Sequence, residues 1–120
     1  RLHIAHLSTK GAVELIAHAK ARGLKVTAEV TPHHLLLSDE QLKNYDTNFK
    51  VAPPLRTESD RLALVDGLRS GVIDCIATDH APHSEEDKAV EFERAACGVV
   101  GLESAFAVTH KLVERKELSV

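Results

Sequence analysis

Residues 24–30 read LKVTAEV and run directly into TPHH at residues 31–34. The first stretch is rich in β-branched residues and predicts a strand, and the proline of TPHH predicts where that strand ends. Similar apolar stretches lie on either side along the chain, RLHIAHL at residues 1–7 and VIDCIAT at residues 72–78. We therefore predict three strands, with this stretch in the middle.

Helical patterns separate and follow these strands. Ser8 or Thr9 can cap a helix that stops at Gly23, and Thr57 begins a second helix that stops at Gly71. A third amphipathic helix follows residue 101. The first helix has one face formed by Ala12, Val13, Ile16, Ala17 and Lys20, and the second is expected to turn Leu62, Val65 and Leu68 inward. The third helix is marked by Leu102, Ala105, Phe106, Thr109, Leu112 and Val113.

The remaining segments are predicted to be mostly loops. Ser38 and Gln41 have the spacing of a capping box for one short helix, whereas residues 44–56 and 79–96 lack periodicity. The order β-α-β-loop-α-β-loop-α is typical of an α/β protein with parallel strands. Open doubly wound sheets and closed eight-stranded barrels both fit this order.

The composition excludes several classes of function. The net charge is -3, aromatic residues make up 3% and Trp is absent, so we expect no nucleic-acid partner. No apolar stretch approaches the ~20 residues that span a bilayer, and none resembles a signal peptide. Cys75 and Cys97 lack metal-pair spacing, and we expect both to be buried in a cytoplasmic protein. The lack of Met and a start within a strand pattern indicate a fragment of a longer chain.

Polar residues that can do chemistry follow each predicted strand. Parallel strands bring such residues to one edge of the sheet, where α/β proteins place their sites. Imidazoles and a carboxylate gathered there indicate a metal or acid–base centre, although each alone is more often a hydrogen-bonded structural residue or a cap. These residues are His6; His33 and His34; and Asp79, His80 and His83.

Three other histidines are expected to be structural. His18 and His110 fall on predicted helices, and strand alternation predicts that His3 faces away from His6.

Five segments together resemble the bacterial type of dihydroorotase. They are HLSTK at 6–10, TAEVTPHHLLL at 27–37, VAPPLR at 51–56, TDHAPH at 78–83 and GVVGLE at 98–103. The resemblance covers essentially the whole chain. TPHHLLL followed by PPLR and TDHAPH is more typical of dihydroorotases than of allantoinases or hydantoinases.

The resemblance implies that residues 1–120 form part of one domain, a (β/α)8 TIM-type barrel of a metal-dependent hydrolase, and supply about strands six to eight. It implies that His6 is a zinc ligand and that Asp79 is both a zinc ligand and the catalytic base. The other ligands of one or two zinc ions would lie upstream of this chain.

The resemblance also implies a set of substrate contacts. His83 matches a residue that binds the substrate carboxylate, and Cys97 and Gly98 match positions that contact the substrate through backbone. Two positions depart from the pattern, because Ala52 stands where Asn is usual, itself a substrate contact, and Cys97 stands where Phe is usual.

Supporting roles are expected for the remaining histidines near the strand ends. His33 and His34 would orient metal ligands or line the pocket, and His80 would support Asp79.

The implied reaction is the reversible closure of N-carbamoyl-L-aspartate to L-dihydroorotate in pyrimidine biosynthesis, with this small molecule as the partner. One alternative is another cyclic amidohydrolase, such as an allantoinase or dihydropyrimidinase. Another is a non-catalytic scaffold that partners aspartate carbamoyltransferase. Self-association into a homo-oligomer is also compatible with the resemblance.

Overall fold

Three parallel strands form the sheet of this computed structural model, which describes residues 1–119. They are β1 Leu2–Ile4, β2 Val26–Val30 and β3 Cys75–Ile76, in the order β1-β2-β3. Leu2 pairs with Val26 at one side of the sheet and Val30 pairs with Ile76 at the other. The three predicted strands and their parallel arrangement are confirmed, but each strand is shorter than predicted because the paired ladder covers only part of each apolar stretch.

Five helices accompany the strands. They are α1 Lys10–Ala21, α2 Pro32–Leu36, α3 Glu58–Arg69, α4 Glu85–Lys88 and α5 Ala105–Glu114, and single 3-10 turns occur at Asp39–Leu42 and Thr47–Phe49. The mixed α/β class is thereby confirmed.

The predicted helix starts depend on threonine caps. Thr9 Oγ1 accepts a hydrogen bond from the amide of Ala12 at 3.2 Å, and Thr57 Oγ1 accepts one from the amide of Asp60 at 3.3 Å. Each cap satisfies an amide that the first helical turn leaves without a partner.

Two short helices were not predicted. Residues 32–36 form α2 because Thr31 caps it and Pro32 occupies its first position, where a missing amide costs nothing. Ser84 caps α4 by accepting from the amide of Asp87.

The core lies between the sheet and the helices that cross over it. Val13 and Ile16 of α1 and Leu64 and Val65 of α3 pack against one face of β2. Ala28 of β2 is fully buried there. The other buried members of this core are Leu7, Val30, Leu35, Ile73 and Leu112.

Three apolar residues of the predicted helical patterns are exposed, and among them Leu62 was predicted to face inward. Leu62 lies one residue from the inward-facing positions of α3, so the turn of the helix points it to solvent. Leu102 precedes α5, and Phe106 lies away from the buried side of α5, where it stacks on His110. The predicted amphipathic pattern holds at Leu112, which is fully buried, but not at Leu102 and Phe106.

A buried arginine ties three segments together. Arg61 of α3 donates to the carbonyl of Leu35 at 2.9 Å and to the carboxylates of Glu58 and Glu117. These three acceptors satisfy the guanidinium inside the protein, which a buried charge requires. Arg61 therefore fixes α2 and the segment after α5 against α3.

The opposite face of the sheet is not covered by any element within residues 1–119. Thr27, Glu29 and Cys75 lie on this face, which explains why the Cys75 thiol is exposed. Cys97 is also exposed, in the loop after α4. The prediction that both cysteines are buried is therefore wrong for the described chain. None of its helices has the length and apolar character that crossing a bilayer requires.

Candidate active site

Residues that follow the three strands converge on one carboxylate. Nε2 of His6 lies 3.5 Å from Oδ1 of Asp79, and Nε2 of His33 lies 3.8 Å from Oδ2 of the same side chain. Two ligands of one zinc ion, each ~2.0–2.2 Å from it, can be no more than ~4.5 Å apart. The His6 and Asp79 atoms lie within that limit.

The backbone is unusual at two of these residues. His6 and Asp79 have φ values of 54° and 47°, in the left-handed region that non-glycine residues rarely occupy. Such conformations cost about 1–3 kcal/mol and persist where surrounding structure holds them, often at functional sites. The turn after β1 and the turn after β3 therefore aim both side chains toward the same point.

His33 is a neutral imidazole inside the protein. Burial lowers its pKa from 6.5 to about 3, with further lowering from the neighbouring rings of His34 and His6. Its Nε2 atom is buried and has no hydrogen-bond partner among residues 1–119. A nitrogen left unpartnered beside a carboxylate is a group that a cation can satisfy.

His34 anchors the loop that carries the VAPPLR segment. Its Nε2 atom lies 2.9 Å from the carbonyl of Pro53, and its Nδ1 atom lies 2.7 Å from Oγ1 of Thr31. Since a carbonyl only accepts, Nε2 carries the proton and Thr31 donates to Nδ1. Burial lowers the pKa of His34, which keeps this neutral form. Its polar atoms are thus used to hold the loop.

Glu29 is a second carboxylate beside His6, and it also contacts His3. Nδ1 of His6 lies 3.1 Å from Oε1 of Glu29 but lacks the alignment of a hydrogen bond, whereas Nε2 of His3 lies 3.0 Å from Oε2. The prediction that His3 faces away from His6 is wrong, because β1 ends at Ile4 and the positive φ of His6 breaks the strand alternation.

His80 and Asp79 make no hydrogen bond or ion pair within residues 1–119. Nδ1 of His80 instead accepts from the amides of Gly101 and Leu102, at 3.2 and 3.1 Å. Its main chain also bridges to Val99. His80 therefore joins the GVVGLE segment to the TDHAPH segment.

His83, Cys97 and Gly98 form one group in the structure. Nε2 of His83 donates to the carbonyl of Cys97 at 2.9 Å. Gly98 has a φ of 144°, and a Cβ there would lie 2.5 Å from the carbonyl oxygen of Ala81. Only glycine allows this close approach. A cavity of about 260 Å³ lies beside His83 and Gly98, lined also by Asn48 and Lys88.

Ala52 is exposed and precedes Pro53 through a cis peptide bond. Lys50 is the nearest polar side chain before it in sequence, but its Nζ donates to the carbonyls of Phe92 and Glu93. Lys50 therefore does not replace the amide that Asn usually supplies at position 52.

Two side chains near the candidate site, Glu29 and Lys88, were not predicted from the sequence. Glu29 could have been found, because alternation in LKVTAEV places it with Thr27 on the face opposite Ala28 and Val30. Lys88 left no comparable signal. It donates to the carbonyls of Thr47 and Ala96 and so holds α4 against the preceding loop.

The residues around Asp79 fit a metal ion by their chemistry. His6 and His33 supply imidazole nitrogens and Asp79 supplies carboxylate oxygens, which are ligands typical of zinc sites. The buried, unpartnered Nε2 of His33 supports this fit.

A second group of metal-ligating atoms lies on the same sheet. Within residues 1–119, the one trio whose ligand atoms all fall within 4.8 Å of one another is His3, Glu29 and Cys75. Partial desolvation, with the carboxylates of Glu29 and Asp74 nearby, raises the pKa of the exposed Cys75 thiol, which disfavours the thiolate that metals bind.

Comparison with known proteins identifies relatives of this chain by sequence. The chain is 58% identical over 121 residues to the dihydroorotase of Thermoanaerobacter sp. (strain X514), covering 100% of this chain and 28% of that protein. It is 61% identical over 108 residues to the dihydroorotase of Caldanaerobacter subterraneus subsp. tengcongensis, covering 90% of this chain and 25% of that protein. The chain thus spans only about a quarter of the length of these relatives. No protein-family model matches it.

Solved structures share the fold. The L-hydantoinase (dihydropyrimidinase) of Arthrobacter aurescens superposes with a TM-score of 0.93 at 31% identity, over 100% of this chain and 28% of that one. The dihydroorotase of Saccharomyces cerevisiae in complex with 5-fluoroorotic acid gives a TM-score of 0.81 at 28% identity, over 95% of this chain and 32% of that one. By sequence the chain is therefore similar to dihydroorotases, over a stretch that equals about a quarter of such a protein.

Proposed function

We propose that the chain is part of a zinc-dependent dihydroorotase, which interconverts N-carbamoyl-L-aspartate and L-dihydroorotate in the cytoplasm. The observation that carries this proposal is the convergence of His6 and His33 on the two oxygens of Asp79. The identity of more than half of the residues to dihydroorotases supports the substrate. In this proposal β1, β2 and β3 are the sixth to eighth strands of a (β/α)8 barrel, and residues 1–120 are part of that single domain.

His6 and Asp79 are the residues that would hold zinc from this side of the barrel. The remaining ligands of one or two ions would come from strands outside this chain. When bound, zinc supplies a Lewis acid that polarises the amide carbonyl of the substrate.

Asp79 moves the proton in this scheme. Hydrolysis of the ring adds water to the amide carbon and breaks the bond from that carbon to the ring nitrogen. A carboxylate beside the reacting carbonyl can accept the proton of the attacking water and return it to the departing nitrogen. The reverse sequence closes the ring. The left-handed turn at Asp79 holds the carboxylate in place for both transfers.

His83, Cys97 and Gly98 would bind the substrate. The Cys97 carbonyl fixes the His83 ring through Nε2, so a protonated ring has Nδ1–H free to donate to a substrate carboxylate. The backbone of Gly98 can come close to the substrate ring because it carries no side chain. Ala52 leaves one substrate hydrogen bond of the family unmade.

A second candidate is a cyclic amidohydrolase with another ring as substrate. The observation that favours it is the TM-score of 0.93 with an L-hydantoinase, which shows that the same scaffold carries that chemistry. A scaffold without activity, bound to aspartate carbamoyltransferase, would have no need for His6 and Asp79 at the strand ends, so their presence argues against it.

The test uses the full-length enzyme with dihydroorotate, allantoin and dihydrouracil as substrates, before and after removal of metal by a chelator. We expect turnover of dihydroorotate that is lost on chelation and restored by zinc. Preferred turnover of dihydrouracil or allantoin would instead support the second candidate. Absence of all three activities in a zinc-loaded, folded enzyme would support the non-catalytic scaffold instead.

A further inference from the structure

Four polar side chains form a continuous chain on the face of the sheet that residues 1–119 leave uncovered. Oγ1 of Thr27 lies 2.8 Å from Nδ1 of His3, and Nε2 of His3 lies 3.0 Å from Oε2 of Glu29. Oε1 of Glu29 lies 3.1 Å from Nδ1 of His6, whose Nε2 faces Asp79 at 3.5 Å. The paired strands β1 and β2 contribute His3, Thr27 and Glu29, and the turn with a positive φ after β1 brings His6 beside them.

The hydrogen bonds of His3 fix the position of its proton. An ionised carboxylate accepts hydrogen bonds and cannot donate, so Nε2 of His3 donates to Glu29. Nδ1 of His3 then has a lone pair, and the hydroxyl of Thr27 donates to it. On the other side, Oε1 of Glu29 lies 3.1 Å from Nδ1 of His6 without the alignment of a hydrogen bond, so it is the negative charge of Glu29 that favours a proton on this nitrogen. With the proton on Nδ1, Nε2 of His6 can offer its lone pair to a metal ion held together with Asp79.

We propose that Glu29, held by His3, is a positioning residue for His6. Glu29 fixes the orientation of the His6 ring and keeps the proton on Nδ1, so that Nε2 is ready to ligate. The inference rests on the proposed zinc function. Carboxylates that orient histidine ligands in this way typically contribute 10–100-fold in metal affinity.

The partial burial of Glu29 stabilises this arrangement. The side chain of Glu29 is only 15% exposed, whereas that of His3 is 44% exposed. A carboxylate so far removed from water needs donors, and His3 supplies the aligned one. His3 therefore acts on His6 only through Glu29.

The trio of His3, Glu29 and Cys75 is the competing interpretation of the same residues, as a metal site of its own. The two interpretations differ at Cys75, which a metal site would require and the positioning chain does not use. Cys75→Ser is therefore the matched control, because it keeps the size of a side chain beside Glu29 and removes only the thiol.

The experiment measures zinc affinity of the full-length enzyme by competition with a chelator, with folding monitored by circular dichroism. We expect Glu29→Ala to weaken zinc binding by about 10–100-fold, Glu29→Asp to recover part of the loss, and Cys75→Ser to bind as the wild type does. His3→Gln should weaken binding in the wild-type background and add nothing to Glu29→Ala. Unchanged affinity in folded Glu29→Ala, or an equal loss in Cys75→Ser, would overturn the proposal.

A second readout needs no metal. In metal-free enzyme labelled with 15N-histidine, the shifts of His6 should show the proton on Nδ1 in the wild type and a move toward Nε2 in Glu29→Ala. No change between the two would overturn the inference even if both bind zinc. If the wild type binds no zinc, the proposed function fails, and the His6 shifts still decide whether Glu29 sets the proton position.

Discussion

Nε2 of His33 lies 3.8 Å from Oδ2 of Asp79, on the oxygen opposite the one that His6 approaches. His33 reaches this position because α2 begins directly after β2, which places the buried ring at the end of that strand. Since burial holds the pKa of His33 near 3, the contact is between a neutral imidazole and a carboxylate. The His33 ring therefore faces the Asp79 carboxylate, whereas the His80 ring accepts hydrogen bonds from the amides of Gly101 and Leu102.

The low pKa of His33 predicts a loss of stability in acid. The unfolded chain takes up a proton on this residue below its ordinary pKa of 6.5, whereas the folded protein excludes it until about 3. Its contribution to stability is complete above pH 6.5 and is lost as the pH falls toward 3. Below pH 6.5, His33→Gln should reduce the slope of the unfolding free energy against pH by up to about 1.4 kcal/mol per pH unit, which corresponds to one proton.

The measurement is the free energy of unfolding of metal-free full-length enzyme in urea at several pH values between 7.5 and 4.5. His18→Gln is the control, because His18 is exposed on α1 and should leave the slope unchanged. A slope that is the same in His33→Gln and in the wild type would contradict the prediction.

Asp79 and His83 should fail in different ways when they are replaced. Asp79→Asn removes the proton acceptor and a ligand charge together, so we expect kcat to fall by at least ~10²–10⁴. His83→Ala should mainly raise KM, because it removes a contact to the substrate carboxylate.

Steady-state kinetics with dihydroorotate separate the two effects, with zinc content measured for each variant. His18→Ala should behave as the wild type. Equal and small losses in Asp79→Asn and His83→Ala would show that the assigned roles are wrong.

Ala52 offers a test by gain of function. An asparagine amide at this exposed position can donate or accept one hydrogen bond that a methyl group cannot, worth about 0.5–1.5 kcal/mol. Ala52→Asn should therefore lower KM for dihydroorotate by a few-fold to about tenfold and leave kcat nearly unchanged. A raised KM would show that position 52 is not a vacant substrate contact.

Gly98 should not tolerate a side chain. A Cβ there would meet the Ala81 carbonyl oxygen at 2.5 Å and His83 Nε2 at 3.0 Å, and the φ of 144° disfavours any other residue. Gly98→Ala should displace the His83 group, raise KM strongly and lower the melting temperature.

Gly11→Ala is the matched control, because a Cβ at Gly11 meets nothing within 4 Å and the residue lies in α1. It should raise stability by about 0.5–1 kcal/mol without a change in KM. Similar kinetics in the two variants would show that Gly98 is not close to the substrate.

Local sequence patterns were sufficient for the three strands, for the long helices and for the edge of the sheet on which the site lies. β-Branched runs gave the strands, and Thr9 and Thr57 gave the helix starts, because capping and strand preference depend on neighbours in the chain. The order of elements then required parallel strands, so His6, His33 and Asp79 had to lie at one edge. The family resemblance added the expected roles.

Only the tertiary structure decided which of these residues meet. His3 and His6 share Glu29 because the chain leaves the strand at Ile4 and passes through a left-handed residue, which no alternation rule foresees. Phe106 and Leu62 are exposed and Arg61 is buried, because packing partners from distant segments choose the inward face of a helix. Contacts of this kind join residues 26 to 56 positions apart in the chain, so a local sequence pattern cannot predict them.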